Sequence, residues 1–115
     1  MTIEEVQARI RKFRDEREWM QFHNAKDMAT AIAIEASELQ EIFLWKTGTQ
    51  IDEVTEKKRQ QITDEIADVG AFLFELADNL KIDLGQAVLA KLEKNALKYP
   101  ADKARGISTK YTELK

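Results

Sequence analysis

Four carboxylates stand out by type and spacing: Glu35 with Glu38, and Glu65 with Asp68, each pair three residues apart. On a helix turning about 100° per residue, Met28, Ile32, Leu39 and Ile42 fall within about 60° of Glu35. Ile62, Val69, Phe72 and Leu76 surround Glu65 by the same rule. Glu38, near Ala31, Ile34 and Trp45, and Asp68 lie on the shoulders of the two apolar stripes. Carboxylates are rarely buried unpaired, because losing hydration disfavours the charge or shifts its pKa. Three readings of the spacing stay open: a divalent cation among the four acids, a basic side chain from a partner chain, or a helix whose phase departs from the ideal. An all-oxygen donor set points to Mg²⁺, with Mn²⁺ or Ca²⁺ as alternative occupants. Glu41 follows Glu38 by three but has turned off the stripe, so it reads equally as surface or as an acid beside a site.

A cation with open positions neutralises phosphate oxygens and acidifies a bound water. Mg²⁺ keeps waters and commonly meets substrate phosphates rather than a closed protein cage. Phosphate chemistry would give the basic C-terminal part a role. Lys91, Lys94 and Lys98 share one helical face, and Arg105 and Lys110 follow. Net charge is +1 over residues 1–26, −8 over 27–83 and +4 over 84–115. Each lysine alone reads more simply as a solvated surface group. Trp19 and Trp45, with Phe22 and His23 between them, offer planar groups on which a base stacks. Taken singly, each Trp reads as core and His23 as a loop or capping residue.

The elements that must position these groups are helices. Four Gly and one Pro in 115 residues leave little punctuation, and strong helix formers dominate. Thr2-Ile3-Glu4-Glu5 fits a capping box opening a first helix with Ile3, Val6, Ile10 and Phe13 on one face. Gln21 to Lys26 reads as a loop. A second helix is predicted from about Asp27 to Trp45, and a third from about Asp52 or Lys57 to Leu80. Asp83-Leu84-Gly85-Gln86 caps a fourth, from Leu84 to Lys98, that buries Leu84, Val88, Leu92 and Leu97 and stops before Pro100. Residues 101–115 read as an irregular basic tail on a single domain. The expected fold is an all-α four-helix bundle.

Composition excludes several classes. No Cys means no disulfide, thiolate metal site or Cys nucleophile, and one His excludes a His-rich zinc cage and the Glu-x-x-His di-iron bundle. An acidic middle beside a basic tail does not suit a nucleic-acid polymer. No apolar run nears the roughly 18 residues of a membrane span and no signal-peptide pattern opens the chain, so a cytoplasmic protein without a membrane partner is expected. A chain of this length also gains from burying surface in an oligomer.

Glu35-Ala36-Ser37-Glu38 followed by Glu65-Ile66-Ala67-Asp68 resembles the signature of the MazG-like all-α nucleoside triphosphate pyrophosphohydrolases, nearest to their dCTP pyrophosphatase branch. The resemblance extends through Trp19-Met20-Gln21-Phe22-His23, Glu41-Ile42-Phe43-Leu44-Trp45-Lys46, Lys91-Leu92-Glu93-Lys94-Asn95 with Tyr99-Pro100, and Arg105-Gly106 with Lys110-Tyr111-Thr112. It covers roughly residues 10–113. It implies Mg²⁺-dependent hydrolysis of a nucleoside triphosphate, dCTP or a modified dCTP first, to the monophosphate and pyrophosphate. Another dNTP such as dATP or dUTP, or a non-enzymatic helical interaction module, is the alternative. By position, Glu35, Glu38, Glu65 and Asp68 would hold metal. Glu38 or, second, Glu41 would serve as general base. Lys91, Lys94, Asn95 and Tyr99 would touch phosphate or sugar, with Arg105, Lys110 and Tyr111 over the phosphates. Trp19, His23 and Trp45 would line the base pocket. The family pairs dimers into tetramers, so self-association is implied. Asp27 stands where the family has Asn, and the short connection after Trp45 is a second departure.

Overall fold

The computed structural model describes all 115 residues, and its regular elements are all helices. Contacts divide the chain into two units, Met1–Lys81 and Ile82–Lys115. The first holds α1 (Ile3–Glu16), α2 (Ala25–Ile42), α3 (Thr49–Lys57) and α4 (Arg59–Asn79), with a 3₁₀ turn at Met20–Phe22. The second holds α5 (Leu84–Lys98), α6 (Ala101–Ala104) and a 3₁₀ turn at Tyr111–Glu113. No helix is long and apolar enough to cross a membrane.

Helix starts follow side-chain chemistry. Thr2 accepts from the Glu5 amide while the Glu5 side chain accepts from the Thr2 amide, completing the capping box. Asp83 Oδ1 accepts from the Gln86 amide at 3.0 Å. The α2 start was misplaced from sequence: Asn24 accepts from the Asp27 amide at 2.9 Å, so the helix opens at Ala25 and Asp27 lies in its first turn. The end of α1 is a Schellman motif. Glu18 sits at φ 54°, its amide donates to Asp15 O, and the Trp19 amide donates to Arg14 O at 3.1 Å. This tight reversal sets the direction in which the chain delivers Trp19.

α4 is the hub of the first unit, with α2 its main neighbour and α1 and α3 also against it. Of the two starts left open for the third helix, Lys57 agrees with α4, which opens at Arg59, whereas a start at Asp52 would run through α3 and the break at Lys58. Val54 and Glu65 lie eleven residues apart, close to three whole turns, so the apolar pattern runs in phase across the break and hides it. Lys57 at the end of α3 complements that helix's negative terminus. The tail is less irregular than expected, since it carries α6 and the second 3₁₀ turn.

The core is thin. Met28, Ile42, Val54 and Ala77 are its buried apolar residues, joined by the polar Gln7, Arg14 and Glu75. Gln7 Nε2 donates to Phe74 O at 2.9 Å and Arg11 Nε to Asp78 Oδ2 at 2.7 Å, tying α1 to α4. Of the α5 residues expected to be buried, Leu84 is half-buried while Val88, Leu92 and Leu97 are exposed.

Met28 is only 1% exposed, at the head of the α2 seam. Met28→Ala is expected to cost about 2–5 kcal/mol, the range for emptying a buried large side chain. Urea unfolding followed by circular dichroism measures it, and an unchanged midpoint would contradict the placement of Met28.

Candidate metal and nucleotide site

The α2 seam has an acid at its centre. Glu35 lies seven residues, or about 10 Å of helix, from buried Met28 on one side and from buried Ile42 on the other. Glu38 is one turn further along α2, and Glu65 comes from α4. One carboxylate oxygen each of Glu35, Glu38 and Glu65 lie within 4.8 Å of one another. Oε2 of Glu35 and Oε2 of Glu65 are buried without a hydrogen-bond partner. No lysine, arginine or histidine of Met1–Lys81 pairs with these acids.

That environment acts on the protons. Burial, then the Glu38 carboxyl and the charges of Asp68 and Glu65, push Glu35 up to about 7. Glu65 is raised in the same direction, by burial first and by Glu38 and Asp68 next. Orphaned buried oxygens in a set of hard donors fit a divalent cation such as Mg²⁺, which would replace the missing partners and neutralise the repulsion. Asp68 is not one of the three convergent acids, but its charge is felt by Glu35 and Glu65. Glu41 is exposed and outside the trio.

Asp68 also lines a cavity of about 210 Å³ with Ile10, Phe13, Arg14, Trp19, His23, Ala71, Phe72 and Glu75. This is smaller than the ~300–1,000 Å³ of drug-sized sites, room for one base rather than a nucleotide. The His23 ring lies 6.4 Å from both Trp19 and Phe72, edge-on to the latter. Below the aromatic wall is a buried polar group missed by the sequence reading: Arg14, 7% exposed, and Glu75, 3% exposed. The signal was available, since Glu75 is seven residues from Asp68 and therefore on its face of α4.

The structure thus gathers Trp19 and His23 at one cavity, but leaves Trp45 apart from it. Trp45 is 87% exposed and held at φ 65°, an uncommon conformation for a bulky residue. In the second unit, Tyr99 and Tyr111 meet edge to face at 6.0 Å, and Lys98 Nζ lies 4.7 Å over the Tyr111 ring. Lys91, Lys94, Arg105 and Lys110 are exposed and Asn95 half-buried.

An all-helical unit with convergent acids on two neighbouring helices, beside a base-sized aromatic cavity, defines a class that known proteins confirm. The MazG-like family model matches residues 30–114, and the chain belongs to that family. It is 37% identical to dCTP pyrophosphatase 1 of Homo sapiens and 36% identical to that of Mus musculus, each over 98% of this chain and 68% of the relative. Its fold matches the crystal structure of a pyrophosphatase from Archaeoglobus fulgidus DSM 4304. The TM-score is 0.81 and the identity 42%, covering 84% of this chain and 91% of that one.

Raised acid pKa values give a sign for pH dependence. In metal-free protein the native state holds protons on Glu35 and Glu65 that the unfolded chain releases, so stability falls as pH rises from about 4.5 through about 7. A divalent cation at these acids would bind their deprotonated form, so its stabilisation should grow over the same window. At Mg²⁺ near 100 times its Kd the gain at pH 8 is about 2.7 kcal/mol, on the order of 10 °C in Tm. Glu35→Gln should raise the metal-free Tm at pH 8 and abolish the Mg²⁺ shift. Thermal scans at pH 5 and pH 8 check both, and a Mg²⁺ response equal at the two pH values would refute the linkage.

Proposed function

We propose that the chain hydrolyses a deoxynucleoside triphosphate, dCTP or a modified dCTP first, to the monophosphate and pyrophosphate with Mg²⁺. The observation that carries this is the trio Glu35, Glu38 and Glu65, with two orphaned buried oxygens, next to a cavity of base size. The relatives named pyrophosphatases support the reaction class, and the dCTP pyrophosphatases support the base. The chain is an enzyme of this nucleoside triphosphate pyrophosphohydrolase type.

Glu35, Glu38 and Glu65, with Asp68, would hold the metal. Mg²⁺, or Mn²⁺ in its place, supplies charge neutralisation on the phosphates and a more acidic water when bound. Glu38 is the first choice to take the proton of the attacking water and Glu41 the second, the first being at the cluster and the second one turn away. Lys91, Lys94, Asn95 and Tyr99 are assigned to phosphate and sugar, and Arg105, Lys110 and Tyr111 to the leaving phosphates, on the family pattern and the positive charge of residues 84–115. Trp19 and His23 receive the base.

Trp45 fits a role across a subunit boundary. An exposed Trp fixed in a strained turn, with open Val88, Leu89, Leu92 and Leu97 on α5, supports self-association as a dimer or a dimer of dimers. The role suited to this activity is cytoplasmic removal of unwanted nucleotides.

Purified protein with excess Mg²⁺ should convert dCTP to dCMP and pyrophosphate. Release of orthophosphate instead would overturn the reading. Glu35→Gln and Glu65→Gln should each lower kcat/KM at least about a hundredfold with helical circular dichroism retained.

A further inference from the structure

Glu75 is buried and holds three polar neighbours on one oxygen. His23 Nδ1 lies 2.7 Å from Glu75 Oε2, Asn79 Nδ2 donates to it at 3.2 Å, and Arg14 Nη1 stands 3.7 Å away. Arg14 in turn donates from Nε to Asp15 Oδ1 at 2.8 Å and from Nη1 to Asn79 Oδ1 at 2.9 Å. A buried ion pair is weak evidence for stability, because an apolar pair of the same volume commonly does as well. This one sits at the wall of a cavity and touches the single histidine of the chain. Its consequence falls on that ring.

We propose that the Arg14–Glu75 pair, through His23, makes the cavity select a base bearing an exocyclic amino group, cytosine before uracil. The proposal rests on the pyrophosphohydrolase reading for its substrate and on geometry for its selectivity. A carboxylate only accepts, so Nδ1 must carry the proton. In the neutral ring Nε2 then has a lone pair and no proton. Within Met1–Lys81 only Nδ1 of the ring is engaged, so Nε2 is left to meet a ligand. A lone pair accepts from the amino group of cytosine and repels the carbonyl that uracil has in its place. Arg14 and Asn79 hold Glu75 Oε2 in position and thereby fix the tautomer. Glu75 and Arg14 are positioning residues, and His23 makes the contact.

The single histidine makes a direct test unambiguous. Two-bond ¹H–¹⁵N correlation at a pH of about 9, above the ordinary imidazole range, should show the proton on Nδ1 in the wild-type protein. A proton on Nε2 overturns the proposal without any variant or activity. The wild type should prefer dCTP over dUTP at least about tenfold in kcat/KM. Arg14→Met combined with Glu75→Leu keeps the volume apolar; it should release the tautomer and bring the two substrates to within about threefold, mainly through KM. Glu75→Gln retains an oxygen for Nδ1 and for Asn79, so it should keep both tautomer and preference. Equal kcat/KM for dCTP and dUTP in an active wild-type enzyme overturns the base selection alone. Pyrophosphate release from no nucleotide overturns the pyrophosphohydrolase reading and the base selection with it.

Discussion

Mutual repulsion among Glu35, Glu38 and Glu65 is the constraint around which the first unit is organised. One oxygen from each approaches within 4.8 Å of the others, and Oε2 of Glu35 and of Glu65 is shut off from water. Close carboxylates that share a site resist ionising together. The seam closes because Met28 and Ile42 are buried on either side of Glu35 and α4 supplies the facing apolar surface. Hydrophobic anchors hold the acids at a separation they would not adopt by themselves. Without a cation the cluster answers that repulsion by holding on to protons, which raises Glu35 and Glu65; a divalent cation there would take over the same role.

A second set of buried charges in the same unit is built on the opposite plan. Glu75 is more deeply buried than Glu35, yet it has Arg14, Asn79 and His23 around it. The chain neutralises one acid with its own guanidinium and leaves the other cluster without a cation. An acid satisfied internally has no reason to recruit a metal, whereas an acid with an orphaned oxygen does. Asp68 lines the cavity above Glu75 and contributes charge to Glu35 and Glu65. It links the two sets, since the side chain lines the cavity while its charge reaches the acidic trio.

What was legible in the sequence was whatever helical phase encodes. Glu35 and Glu65 announced themselves because an acid centred among Ile, Leu, Val and Phe is improbable on a solvated face. Thr2 and Asp83 announced helix starts through local side-chain reach. Features set by tertiary contact were not legible. Arg14 looks like one more cation in a basic stretch, and only α4 packing against α1 gives it Glu75 and Asn79. The start of α4 stayed open between Asp52 and Lys57 because the apolar pattern keeps one phase across the break at Lys58. The Asn24 cap was passed over because Phe22 and His23 before it made the stretch read as loop. Leu92 and Leu97 were read as core because periodicity reports an apolar face, not what covers it.

That last failure follows from the energetics of the chain. Four buried apolar residues are few for 115, while Trp45, Leu97 and the α5 face remain open to water. Folding must offset roughly 1–2 kcal/mol of backbone entropy per residue, chiefly by apolar burial. With so little burial in one copy, any surface that covers α5 adds directly to the stability of the native state. The same holds for a cation at the acidic seam. Stability and ligand binding are therefore drawn from the same interactions: the chain folds into a form whose two least satisfied regions, one charged and one greasy, are the regions where binding returns the most free energy.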